Sequence, residues 1–206
     1  LELEDGSKVS YDRDVVNILL LGMDRSEERD KVYSPYRSDT LILASVNMKT
    51  KKAVMLTIPR DTRTMVKKLD KNGNVEREFL TKINAAFAYG QGRNKYSYRN
   101  TIDAVKNLLG GIPIDYYVGL DMEGVIPIVD AVGGVEVDVE VGIPEVGLKP
   151  GKQVLKGEKA LSYVRARKNV EGSDGSDTNR TKRQRKFVIA FLKKVKSMGA
   201  VQTAPA

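Results

Sequence analysis

Apolar positions change their period several times along the chain, and each change marks an element. VVNILLLGMD (15–24) is a short, nearly continuous apolar run, the pattern of a strand buried on both faces. DTLILASVN (39–47) and AVMLTIPR (53–60) are two more, and the short polar link MKTKK between them predicts a β-hairpin. NKYSYRNTIDAVKNLLGG carries Ile102, Val105, Leu108 and Leu109 at helical spacing and ends on Gly110-Gly111, which predicts an amphipathic helix with a glycine stop. IDYYVGLD (114–121) reads as a strand, MEGVIPIVDAVGG (122–134) as a helix closed by glycines, and VEVDVEV as an alternating strand. After a loop rich in Pro and Gly, GEKALSYVRAR (157–167) reads as a helix, and a long helix runs from about Asp177 to Met198. Strands alternating with helices predict an α/β layered sheet, and the early hairpin makes that sheet mixed. Residues 1–13 read as a polar lead-in, 14–199 as one domain and 200–206 as a tail, with no repeat, low-complexity stretch or dividing linker.

The last helix has an informative polar end. At about 100° per residue, Phe187, Ala190, Phe191, Val195 and Met198 fall on one face, which must pack inward. Counting backward, Arg180, Arg183 and Gln184 continue the same stripe, whereas Lys182 and Arg185 fall opposite. Buried arginines are unfavourable unless paired, and a helix N-terminus favours anions. The stripe therefore reads either as an anion pocket or as arginines paired with buried acids. Three strand ends also combine acids with arginines: Asp24 and Arg25; Arg37 and Asp39; Arg60, Asp61 and Arg63. A hairpin of strands two and three puts Asp39 and Arg60 at one sheet end, and Asp24 joins them if strand one runs parallel to strand three. Ordinary ion pairing competes with a ligand site for any single pair.

Composition narrows the chemistry. The 206 residues carry a formal charge of +8 and contain no histidine and no cysteine. Imidazole acid–base catalysis, thiol chemistry, disulfides and His or Cys metal ligation are all excluded. An anionic partner is expected. Fixed guanidiniums suit a phosphate or diphosphate, because arginine is planar, bidentate and always charged. Aspartates beside them repel phosphate unless a divalent cation lies between, and Mg²⁺ typically takes one or two carboxylates with phosphate oxygens. Arginines, aspartates and Mg²⁺ together make up a phosphoryl-transfer set. A nucleic-acid site fits poorly, since acids interrupt the final basic segment and only Tyr163 and Phe187 flank it. No run of ~18 apolar residues suits a membrane span. The start LELEDG, without Met, reads as a soluble portion whose N-terminal anchor is missing.

NILLLGMDR, RSDTLILASVN, LTIPRDT, KINAAFAYG, IVDAVGGVEVDV, GEKALSYVRAR and SDTNRTKRQ stand in the order and spacing of the LytR-CpsA-Psr family, which the chain resembles from about residue 14 to 198. The resemblance implies a single three-layer α-β-α domain on a central mixed sheet. It implies a Gram-positive cell-wall enzyme anchored by one N-terminal membrane helix, with its domain outside the cell at the membrane surface. Its activity would move a glycopolymer such as wall teichoic acid or capsule from undecaprenyl diphosphate to the 6-hydroxyl of N-acetylmuramic acid in peptidoglycan, assisted by Mg²⁺.

Carried over by motif, Asp24 and Asp39 correspond to metal-binding aspartates and, without histidine, to candidate bases. Arg37 and Arg60 correspond to arginines beside the metal and phosphates, and Lys82 to a site lysine. Arg165 and Arg167 correspond to a diphosphate-binding pair, and Arg180 and Gln184 to head-group contacts, with Arg183 adjoining. Where the family often has Gly-Asp-Phe-Gly-Arg, this chain reads SDTNR, keeping Asp177 and Arg180 but neither glycine. Ile42, Phe87, Ile126, Phe187 and Phe191 are candidates to line a polyprenyl tunnel, with plain core packing as the alternative for each. Lys182, Arg185 and Lys186 read as solvated or membrane-facing. A polyprenyl-phosphate-binding protein without chemistry and a diphosphate hydrolase remain alternatives.

Overall fold

The computed structural model describes residues 10–23, 25, 35–92, 94–121, 123–166 and 177–198. β1 (Val15–Met23) has no exposed position: Leu19, Leu21 and Met23 are buried and alternate with half-buried Ile18, Leu20 and Gly22. It pairs antiparallel with β2 (Ser38–Asn47), with Leu19 opposite Leu43 and Leu21 opposite Leu41. β2 pairs antiparallel with β3 (Ala53–Thr57), giving the expected hairpin. Asn47 fixes its turn, its Oδ1 accepting the amides of Lys49 and Thr50 at 3.1 and 2.8 Å. With β2 between them, β1 and β3 run the same way. The end of β1, the start of β2 and the end of β3 therefore meet at one sheet end, where Met23 faces Ser38. Gly22 is required there, because a Cβ would lie 2.9 Å from Cβ of Thr40 across the ladder.

A second hairpin, β4 (Arg63–Leu69) and β5 (Val75–Lys82), follows. It was not expected, because Lys, Arg and Glu interrupt its alternation. Its turn DKNGN does carry a signal: Asp70 Oδ1 accepts the amides of Asn72 and Asn74 at 2.8 Å each. Those amides hold the Asp70 carboxyl below its usual range. α1 (Ala85–Tyr89) is a single short helix. α2 (Lys95–Leu108) is the expected amphipathic helix: Asn94 caps it by accepting from the Tyr96 amide at 2.9 Å, and Gly110, at φ 69°, lets the Gly111 amide return to Lys106 O at 2.8 Å. β6 (Tyr116–Asp121) completes a four-stranded sheet in the order β3-β2-β1-β6. Leu19, Leu21, Met23, Leu41, Ile58 and Val66 pack with Ala86 and Phe87 of α1 and Ala104 and Val105 of α2.

The remaining elements are α3 (Val125–Ala131), β7 (Val135–Val139), a 3-10 turn (Pro144–Val146), β8 (Gly151–Leu155), α4 (Gly157–Arg165) and α5 (Asp177–Ser197). VEVDVEV is a strand as expected, but it ends at Val139 and pairs with β8 in a separate two-stranded sheet. β8 was missed, because GKQVL is short and mostly exposed. The fold class is the expected mixed α/β, a central sheet with helices. The chain forms two compact units, one running through Gly119 and the other from Leu120 onward with Arg25. Each has its own core. That of the second gathers Val135, Val137, Leu155, Ala160, Tyr163 and Phe187.

Buried Asn100 ties the first unit together, its Nδ2 donating to Lys67 O of β4 at 2.8 Å and Ala86 O of α1 at 2.7 Å. Asn100→Ala removes both bonds, although Ala86 O keeps the Gly90 amide at 3.0 Å, and is expected to lower stability by about 1–3 kcal/mol. Thermal unfolding measures it, and a variant as stable as the parent would show that these bonds contribute nothing.

Candidate functional site

In the first unit, two turns lock together at the sheet end. Thr62 N–H bonds Pro59 O at 2.9 Å, closing a turn that carries Arg60 and Asp61 just beyond β3. The turn after β5 is pinned to it, with Ile83 N–H on Thr62 O at 2.8 Å and Asn84 N–H on Arg60 O at 3.2 Å. Asp39 reaches into this corner from β2. Its Oδ2 accepts from Arg60 Nη1 at 2.7 Å, and the two side chains are only 10% and 19% exposed. Asn84 Nδ2 approaches Asp39 Oδ1 at 3.4 Å. The structure thus joins Asp39 and Arg60 as the hairpin implied. Asn84 is a third member that was missed, although it lies in the same KINAA motif as Lys82. Its Oδ1 is buried with no hydrogen-bond partner among the described residues.

Lys82 stands at the rim, mostly exposed, and pairs with Asp61 at 2.7 Å. That aspartate also relieves the cross-strand repulsion of Lys82 and Arg63, which face each other in the ladder. Arg37 is exposed just ahead of β2, after buried Tyr36. Asp24 lies outside the described residues. Neighbouring Arg25 lies 3.9 Å from Asp121 in the second unit.

The second unit carries the other arginines. On α5 the stripe falls as its spacing requires: Arg180, Arg183 and Gln184 are 6%, 9% and 5% exposed, whereas Lys182 and Arg185 are exposed. Phe187 is buried against Tyr163, ring centroids 6.4 Å apart, and Ala190 and Phe191 are partly buried. The stripe fades toward the C-terminus, and Met198 is 52% exposed. Its expected inward packing fails because it lies past the helix end at Ser197. Arg183 and Gln184 both reach the C-terminal end of α4: Arg183 Nη2 donates to Ala166 O, and Gln184 Nε2 to Val164 O at 3.3 Å. Burial pulls the Arg183 pKa below its usual value, with the neighbouring Arg180 charge adding to the effect. Burial also pushes the Tyr163 phenol up to about 12, so Tyr163 is a neutral group at ordinary pH. Arg165 is exposed on the last turn of α4. Arg167 lies outside the described residues.

The residues considered as tunnel lining have core contacts within their own units. Ile42 is fully buried in β2, and Phe87 packs edge-on to Tyr98 at 5.1 Å in the first unit. Ile126, Phe187 and Phe191 belong to the core of the second unit. Among the described residues no helix is long and apolar enough to cross a membrane, and no three acidic side chains cluster as a metal site.

The chain belongs to the LytR-CpsA-Psr family, whose description it matches over residues 2–206. It is 38% identical over 208 residues to a polyisoprenyl-teichoic acid–peptidoglycan teichoic acid transferase, TagU, of Halalkalibacterium halodurans, covering 98% of this chain and 61% of that protein. It is 36% identical to biofilm regulatory protein A of Streptococcus mutans, covering 95% of this chain and 48% of that protein. Among solved structures, TagT bound to LIIa-WTA superposes with a TM-score of 0.67 at 30% identity, covering 96% of this chain and 72% of that one. The chain therefore spans about half to three-fifths of the length of those two curated relatives.

Lys186, expected to face solvent or membrane, donates to Glu140 at 2.8 Å. Its hydrogen bond, ahead of its charge, holds the Glu140 carboxyl below the usual value. A lowered carboxyl pKa stabilises the fold above the unfolded value near 4.5, and that contribution disappears as pH falls through the folded value. Lys186→Met is expected to lose at most about 1 kcal/mol near neutral pH, because the pair is exposed, and less at pH 3. Denaturant unfolding at the two pH values checks this, and an equal loss at both would contradict it.

Proposed function

We propose that this chain is a glycopolymer–peptidoglycan phosphotransferase acting at the outer face of the cell membrane. Its substrate class is an anionic glycopolymer such as wall teichoic acid on an undecaprenyl-diphosphate carrier. Its acceptor is the 6-hydroxyl of N-acetylmuramic acid in peptidoglycan. The observation that carries this reading is the similarity, over nearly the whole chain, to a protein named as a teichoic acid transferase. The structural similarity to TagT bound to LIIa-WTA supports it.

The acceptor hydroxyl oxygen attacks the phosphorus that bears the polymer. The bond from that phosphorus to the bridging oxygen breaks, undecaprenyl phosphate leaves, and a phosphodiester remains. Arg60, Arg165, Arg167 and Arg180 are assigned the role of supplying positive charge for the phosphates and for the charge that develops on the leaving oxygen. Arg37 and Lys82 add rim charge, and Gln184 adds an amide donor. With no histidine, Asp39 or Asp24 accepts the hydroxyl proton.

Mg²⁺ suits this corner chemically. The donors are hard oxygens, and Asn84 offers a buried oxygen with no hydrogen-bond partner among the described residues. Asp39 and Asp24 would hold the ion, which would supply neutralising charge to the phosphate oxygens.

Transfer from a purified lipid-linked polymer to peptidoglycan, in the presence of Mg²⁺, tests the reading. Arg60→Ala and Arg180→Ala are each expected to lower turnover by roughly 10²–10³-fold, with the fold retained by circular dichroism. Full turnover in both variants would sink the residue assignment. Tight lipid retention with no transfer by the parent protein would replace a transferase with a carrier-binding protein, and release of free polymer would indicate a hydrolase.

A further inference from the structure

The carbonyls on either side of Arg165 are both held by α5. Gln184 takes Val164 O at 3.3 Å, and Arg183 takes Ala166 O. Ala166 is where α4 ends: its amide still closes on Ser162 O at 2.9 Å, but its backbone has turned to φ −51° and ψ 130°. Past that point its carbonyl has no helical donor, and the last turn of a helix ending this way frays unless something caps it. A guanidinium is well suited to the task, because it donates to the carbonyl and also places positive charge at the negative end of the helix dipole.

Arg183 is buried, and among the described residues no carboxylate pairs with it. Its guanidinium donates to the main-chain oxygen of Ala166. Phe187, one turn further along α5, packs against Tyr163, two residues before Arg165, with the rings tilted 47° and their centroids 6.4 Å apart. Arg165 itself stays exposed.

We propose that Arg183 is a positioning residue that clamps the C-terminal end of α4 and so aims Arg165, rather than a ligand of the diphosphate. This deepens the phosphate-binding reading above and rests on it for the role of Arg165. Loss of the clamp frees the last turn of α4, and the Arg165 guanidinium then samples directions that do not meet an anion.

Two measurements on the full chain test it: hydrogen exchange at the amides of residues 164–166, and titration with inorganic diphosphate. Arg183→Met is expected to speed exchange at those amides by about tenfold or more and to weaken diphosphate binding by about tenfold, the scale on which supporting contacts act. Arg165→Met weakens binding directly, and the double variant is expected to bind no more weakly than Arg165→Met alone. Arg183→Lys keeps the charge without the planar fork and should fall between parent and Arg183→Met; it carries both readouts if the Met variant does not fold. Unchanged exchange would overturn the clamp, and losses that multiply in the double variant would make Arg183 a direct ligand. If the parent protein binds no diphosphate, the phosphate-binding reading falls, and the exchange rates still decide whether Arg183 holds the helix end.

Discussion

Holding a guanidinium away from water is the constraint on which both units turn. An arginine cannot shed its proton to escape burial, so each buried one must find oxygen atoms already in place. The first unit provides a carboxylate, Asp39 Oδ2 at 2.7 Å from Arg60. The second provides main-chain carbonyls at the end of a helix, with Arg183 on Ala166 O. The first solution neutralises the charge and removes some of its pull on an anion. The second satisfies the donor and leaves the positive charge in force.

The scaffold explains how a carboxylate and a guanidinium 21 residues apart come to touch. Antiparallel pairing of β1, β2 and β3 sends the exit of one hairpin strand to the entrance of the other. The hydrogen bonds that lock the Arg60 turn to the Ile83–Asn84 turn then fix the corner. The Asp39–Arg60 pair is thus held by the same ladder that forms the core.

Much of this could be read from the pattern of residues. Runs such as VVNILLLGM and DTLILASVN are apolar enough to specify buried strands, and their polar link specified the hairpin. The α5 stripe placed Arg180, Arg183 and Gln184 inward because a helical period leaves no other face for them next to Phe187. The β4–β5 hairpin escaped because charges interrupt its alternation and its buried positions, Thr64, Val66 and Leu69, are few. Asn84 escaped because an asparagine in a short motif carries no period at all; only the register of two turns brings it to Asp39. The pairing of Lys186 with Glu140 was equally illegible, since it joins α5 to the segment just after β7 through an exposed contact.

The contact between Arg183 and Ala166 is asymmetric in what it demands of the gene. Every residue type offers a main-chain oxygen, so position 166 can change its side chain without removing the acceptor. Position 183 has no such freedom, because few side chains reach across with a charged planar donor. A constraint of this kind leaves no trace as paired substitutions. Comparing relatives for positions that change together would pass over it, and it shows only as one arginine that resists replacement opposite a position free to drift.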